Sequence, residues 1–137
     1  MRTELLLTEE RVAVRPADSP LAALPQVTLA DLATHPIALN TVSGTTAMDL
    51  WPPAARPAAT IEVTNTDEWL IAIAARHAVG ISTTATPGNH THPSRVYRPL
   101  TNTRTVPVVL AWREGLGHPA IPDLVALAHE ILATEKP

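Results

Sequence analysis

Hydrophobic and polar positions along the chain predict short strands separated by helices. Six compact apolar or alternating segments, each bounded by turn residues, have the length and pattern of β-strands. They are Arg11–Arg15, Pro36–Asn40, Thr60–Thr64, Val79–Thr83, Val96–Leu100 and Val106–Arg113.

Helical spacing appears between these strands. From Asp67 to His77 the residues Trp69, Leu70, Ile73, Ala74 and His77 form one stripe that we expect to be buried. Either Asn65 with Glu68 or Thr66 alone supplies the N-cap of this helix. Shorter helices are predicted at Leu29–Thr34, after a capping pair of Thr28 and Asp31, and at Ala47–Trp51. A C-terminal helix begins at Pro122, with an apolar face of Leu124, Leu127, Ile131 and Leu132.

Alternating strands and helices predict an α/β fold with mainly parallel pairing. The 137 residues fall within the usual size of one domain, and 45% apolar with 17% charged residues indicates a globular chain. The net charge of −3 argues against a nucleic-acid-binding surface on this chain. Cysteine is absent, which excludes disulfides and thiolate chemistry. Without a signal peptide or a bilayer-length apolar run, we expect a soluble cytoplasmic protein and no membrane partner.

Four segments together resemble the C-terminal effector-binding (substrate-binding) domain of LysR-type transcriptional regulators. Leu7–Leu21 is similar to the family's crossing strand and "D-H-P-L" turn, with Ser19 where His is common. Val27–Ile37 resembles its "v-s-l-a-d-L-a-x-x-P-x" segment. Glu62–Ile81 resembles the strand–helix–"V-A-A-G-L-G-I" unit, and Tyr97–Arg113 resembles the return strands that end in "l-a-w-R".

The resemblance implies an α/β fold like that of type II periplasmic binding proteins, with two lobes and an effector in the cleft between them. In that pattern residues 27–84 make a complete second lobe. Residues 1–26 and 95–137 make the crossing strands, part of the first lobe and the C-terminal helix. The chain is therefore expected to be an N-terminally truncated domain that lacks the helix-turn-helix and the β-α-β-α opening of the first lobe. At the end of the long helix, Ala78 stands where the family has Gly, a residue that tolerates the left-handed C-cap.

The polar loop Thr41–Thr46 is the first candidate ligand site. It joins a strand end to a predicted helix start, where ligands of open α/β sheets bind and where free N–H groups favour anions. In LysR-type proteins the matching loop borders the effector cleft, and many effectors carry a carboxylate. Ser43 and Thr45 are the main candidates, and Thr41 and Thr46 are further ones. The alternative is that these residues only cap the helix.

Other candidate sites are weaker. Asn65, Thr66 and Thr83 lie at neighbouring strand ends, where they either contact ligand or serve as caps. His90 and His92 have the spacing of a metal pair on a strand, but no third ligand is near in sequence, so an exposed loop is expected and no metal. No catalytic motif or paired carboxylate occurs, so we expect neither an enzyme nor a cofactor.

The leading hypothesis is an effector-sensing regulatory module that binds a small metabolite, self-associates, and reaches DNA only through a separate helix-turn-helix domain. The alternative is a truncated remnant that acts as an interaction fragment without ligand. A small α/β enzyme using His77, His90 or Asp67 is a third, least supported hypothesis.

Overall fold

The computed structural model describes residues 1–115 and 117–135, which contain eight strands and four α-helices. The strands are β1 Arg2–Glu9, β2 Arg11–Pro16, β3 Val27–Thr28, β4 Ile37–Asn40, β5 Thr60–Val63, β6 Gly80–Thr83, β7 Arg95–Thr101 and β8 Val106–Trp112. The α-helices are α1 Leu29–Leu32, α2 Thr66–Ala74, α3 Thr86–Asn89 and α4 Ile121–Thr134. All six predicted strands are present within one residue of their expected bounds, whereas β1 and β3 were not predicted.

The fold is α/β with mixed sheets rather than mainly parallel ones. A four-stranded sheet has the order β3-β7-β2-β6, and β4 pairs with β5. An isolated parallel bridge between Ile37 and Val79 joins β4 to the segment before β6. The pairs β4–β5 and β3–β7 are parallel, but β2 is antiparallel to both of its neighbours. The prediction of mainly parallel pairing was wrong for β2, because helical crossovers dictate parallel pairing only between the strands they connect.

The chain divides into two compact units. The central unit is Glu10–Val106, and the terminal unit joins Met1–Glu9 to the described part of Pro107–Pro137. The central unit contains β2 to β7 and both tryptophans of its core, Trp51 and Trp69. The narrower lobe boundaries at residues 27 and 84 stay a prediction.

Two apolar clusters lie on opposite faces of the central sheet, because successive side chains of β2 point to opposite sides. Ala13 belongs to the cluster that contains Trp51, and Val12 and Val14 belong to the one that contains Trp69. Each indole N–H is satisfied: Trp51 Nε1 donates to Leu29 O at 2.8 Å and Trp69 Nε1 to Ala38 O at 2.9 Å. The Trp51 ring therefore ties its loop to α1, and the Trp69 ring ties α2 to β4, while both rings fill the core.

Helix α2 begins as predicted but ends earlier. Asn65 Oδ1 accepts from Glu68 N at 2.8 Å and caps the helix, as the first of the two capping patterns predicts. The last helical residue is Ala74, and Arg76 takes the left-handed conformation with φ 66°. His77 is consequently exposed, so its assignment to a buried stripe was wrong. The left-handed residue is Arg76 and not Ala78, which is buried in the core.

Of the other predicted helices, one agrees with its predicted start, one differs in kind, and α4 differs in the face that it buries. The capping box of Thr28 and Asp31 is present and starts α1. The helix expected at Ala47–Trp51 is a three-residue 3-10 turn, Met48–Leu50. In α4 the half-buried side chains are Ile121, Val125, Ala128 and Leu132, whereas three of the four predicted core positions are about half exposed: Leu124, Leu127 and Ile131.

Candidate functional site

A cavity of about 250 Å³ lies within the central unit, at the carboxyl ends of β4 and β6 and the start of α2. Strand ends of an α/β sheet are where ligands characteristically bind, because loops and helix N-termini converge there. Five of the seven predicted contact residues line it: Ser43, Thr45, Thr46, Thr66 and Thr83.

The other two predicted residues do not line the cavity. The Thr41 side chain donates to Val63 O at 3.3 Å and its N–H to the same oxygen at 3.0 Å, which fixes the loop to β5. The Asn65 side chain is used as the cap of α2. Both residues therefore have a structural role in this conformation.

Asn40 organises the first half of the polar loop. Its Oδ1 accepts from Val42 N at 3.0 Å and Ser43 N at 3.3 Å, and its carbonyl accepts from Gly44 N at 3.2 Å. Gly44 has φ +63°, the left-handed conformation that glycine adopts without strain. These three N–H groups are engaged and are therefore not available for the free amide cluster that the sequence suggested. Of the side-chain hydroxyls of the loop, Ser43 Oγ donates to Asn40 O at 3.5 Å and Thr46 Oγ1 donates to Ile81 O at 3.4 Å, while Ser43, Thr45 and Thr46 all line the cavity.

Arg11 holds the second half of the same loop. Its Nη1 donates to Thr45 O at 2.8 Å and to Thr46 Oγ1 at 3.5 Å, while its Nε donates to Arg104 O at 2.8 Å. Burial lowers the pKa of Arg11, the positive charge of Arg104 adds to this, and Asp49 opposes it. Sequence reasoning missed this residue, since an arginine in an alternating strand carries no sign of the carbonyls it will meet.

The far wall contains two polar residues that the sequence did not single out, Ser82 and Thr86, together with His90, which the sequence suggested only for a metal pair or an enzyme. Ser82 Oγ and Thr86 Oγ1 are 2.5 Å apart, which joins β6 to α3. His90 ends α3 and lines the cavity, and its carbonyl accepts from Tyr97 Oη at 2.5 Å. The expectation of an exposed loop was wrong for His90, which is half-buried. His92, in contrast, is exposed.

The floor of the cavity is apolar, and it includes Ala38, Ile81 and the ring of Trp69. Hydroxyl groups, one amide and one imidazole surround this floor. Within the described residues the lining contains no Lys, Arg, Asp or Glu side chain. The arrangement can bind a small molecule that combines an apolar body with groups that accept or donate hydrogen bonds.

Neither a metal cluster nor a membrane-spanning helix is found within residues 1–115 and 117–135. No cluster of three or more His, Cys, Asp or Glu side chains is placed to hold a metal ion there. No helix in that part of the chain has the length and apolar character needed to cross a bilayer.

Solved structures of LysR-type regulators share the fold. The BenM effector binding domain with its effector benzoate is 22% identical, with a TM-score of 0.82 over 99% of this chain and 66% of that one. Full-length BenM carrying E226K is also 22% identical, with a TM-score of 0.82, and 47% of its length is covered. The regulatory domain of MetR from N. meningitidis is 16% identical, with a TM-score of 0.75 over 99% of this chain and 66% of that one.

At these identities the similarity establishes the fold, which is the type II periplasmic-binding-protein-like one. The chain spans about half of full-length BenM and about two thirds of the isolated domains. No curated protein matches the sequence. The family profile described as the LysR substrate binding domain matches residues 1–133. The chain therefore belongs to the LysR substrate-binding domain family.

Proposed function

We propose that the chain is the effector-sensing module of a LysR-type transcriptional regulator and that it binds a small metabolite in the cavity of the central unit. One observation carries this proposal. Five polar residues chosen from sequence as ligand contacts surround one cavity at the strand ends, in a chain of a family of effector-binding domains.

The chemistry of the lining supports a ligand with a carboxylate and an apolar body. Ser43, Thr45 and Thr46 carry hydroxyl donors, and Thr66 is the first residue of α2, whose N-terminal end favours negative charge. Trp69 contributes an apolar surface beneath them. Benzoate, the effector that accompanies the BenM domain, combines these two features.

In this proposal the module acts in the cytoplasm, self-associates, and controls transcription through a separate DNA-binding domain. Effector binding shifts the regulator only if the effector prefers one arrangement of the protein over another. Hydrogen bonds connect Ser43 to Asn40 of β4 and Thr45 to Arg11 of β2. An effector that contacts Ser43 and Thr45 is therefore linked to both strands.

Titration followed by heteronuclear NMR tests the ligand site. A panel of small aromatic and aliphatic carboxylates is compared with the corresponding amides, which keep the shape but remove the charge. We expect saturable shifts at Ser43 and Thr45 for at least one carboxylate, with weaker binding of its amide. The double variant Ser43→Ala/Thr45→Val weakens binding about tenfold, which corresponds to roughly 1.4 kcal/mol.

Thr60→Val is the matched control, because Thr60 is exposed at the opposite end of β5. It leaves the affinity unchanged. If no compound in the panel gives a saturable shift, the ligand-binding function of this chain is wrong. If binding persists in the double variant, the cavity assignment is wrong.

A further inference from the structure

Arg15 is a buried cation with almost no hydrogen-bond partners. Its relative exposure is 0%, and its Nη2 donates to Leu24 O at 3.1 Å. Its Nε and Nη1 have no partner. Buried guanidinium groups normally meet a carboxylate or several acceptors, because an unpaired charge in the interior is costly. The central unit therefore provides no acceptor for two of the three guanidinium nitrogens of Arg15.

A second arginine lies beside it. In the antiparallel pair of β2 and β7, Ala13 is opposite Arg98 and Arg15 is opposite Val96. Arg15 and Arg98 consequently project from the same face as diagonal neighbours. The half-buried Arg98 donates from Nη1 to Tyr97 O at 3.0 Å. Two positive charges thus face the same space.

No negative charge offsets this pair among the described residues. The salt bridges of that part of the chain join Arg76 to Asp18, Arg104 to Asp49 and His129 to Glu4. Burial, and then the charge of Arg98, lower the pKa of Arg15 to about 10, and no carboxylate opposes them. A bound anion would offset both the burial of the Arg15 charge and its repulsion by Arg98.

We propose that Arg15 and Arg98 form a site for a small oxyanion, a carboxylate or a phosphate, separate from the effector cavity. The planar fork of a guanidinium matches two oxygens of such an anion. Arg11, which holds the effector loop, lies four residues away on β2, or about 13 Å along the strand.

The full chain is titrated with sodium phosphate and, separately, with sodium acetate, while sodium fluoride keeps the ionic strength constant. The Nε–Hε cross-peak of Arg15 in a proton–nitrogen correlation spectrum reports directly on its unpartnered N–H. We expect it to move and to saturate with at least one of the two oxyanions. The anion that saturates at lower concentration identifies the class of ligand.

Arg98→Gln removes the second charge and leaves the buried Arg15 in place, so the saturable shift weakens at least tenfold. Arg56→Gln is the control, since it removes an exposed arginine of the same unit and leaves the shift intact. A shift that is absent or grows linearly with either salt overturns the proposal and leaves Arg15 hydrated by water only. An equal response in Arg98→Gln and the unaltered protein also overturns it.

Discussion

Gly80 is the position where the core of the central unit leaves no room for a side chain. A Cβ atom there would overlap the indole of Trp69 and come within 2.9 Å of Ile73 Cδ1. The close contact allows α2 to lie directly on β6, and it is the physical reason for glycine at the start of this strand.

Gly80→Ala is therefore expected to destabilise the protein by about 1–3 kcal/mol, the usual cost of overpacking a filled core. Urea unfolding followed by circular dichroism measures the change. Gly88→Ala is the control, because nothing lies within 4 Å of its added Cβ, and it changes stability by about 1 kcal/mol or less. Equal stability of Gly80→Ala and the unaltered protein would contradict this packing account.

Arg15→Met is expected to stabilise the protein, in contrast to Gly80→Ala. The lowered pKa of Arg15 corresponds to roughly 3 kcal/mol of unfavourable free energy, from burial of the charge and then from repulsion by Arg98. The substitution also loses one hydrogen bond to Leu24 O, worth about 1 kcal/mol. In fluoride buffer without oxyanions, Arg15→Met is expected to raise the free energy of unfolding by about 2 kcal/mol, measured by urea titration. A loss of stability would mean that the Arg15 guanidinium is better solvated than its single hydrogen bond to Leu24 O indicates.

At the scale of elements, the two ends of α2 show what sequence can predict. The start depends on Asn65 and Glu68, three residues apart, and such local capping is visible in the sequence. The end depends on backbone reversal at Arg76, which the apolar spacing up to His77 conceals. The one stripe position beyond the helix, His77, is exposed, and after the reversal the buried residue is its neighbour Ala78.

Arg76→Gly tests the cost of this helix end. An L-residue in the left-handed conformation is unfavourable by about 1–2 kcal/mol relative to glycine. The substitution also removes the exposed ion pair with Asp18, worth about 0–1 kcal/mol. We expect a net gain of about 1 kcal/mol in thermal or urea unfolding. Asp18→Asn removes the same ion pair alone, and a larger loss in Arg76→Gly than in Asp18→Asn would rule out strain at Arg76.

The sequence predicted those residues of the candidate site that lie at or just after strand ends. Ser43, Thr45 and Thr83 follow or end apolar strands, so their convergence follows from the fold class. Arg11 reaches the same region through a hydrogen bond to Thr45, a residue more than thirty positions away in the sequence. His90 reaches it at the end of α3, a short helix that has no apolar stripe. Such contacts depend on register and tertiary packing, which the sequence of one chain does not encode locally.

At the scale of the whole molecule, α4 exposes an apolar face that its own unit leaves uncovered. Leu124, Leu127 and Ile131 are 48–52% exposed, and they follow one another at helical spacing. Contiguous exposed apolar side chains favour association. Self-association of copies through this face would remove these side chains from water.

Leu127→Lys is expected to shift the protein from an associated form to monomer in light scattering over a concentration series. Ala126→Lys is the matched control, because it adds the same charge to the exposed opposite side of α4. It leaves the mass unchanged. A monomer at every concentration for the unaltered chain, or dissociation by both variants, would refute association through this face.

Trp69 gives the central unit an intrinsic optical reporter. Its ring is 6% exposed, its N–H is bound to Ala38 O, and it forms part of the cavity floor. Indole emission depends on local polarity, so a molecule that enters the cavity changes the colour and yield of Trp69 fluorescence. Trp51 is not among the cavity-lining residues, and Trp112 belongs to the terminal unit. A chain carrying Trp51→Phe and Trp112→Phe therefore reports occupancy of the site through one native chromophore, without any attached dye.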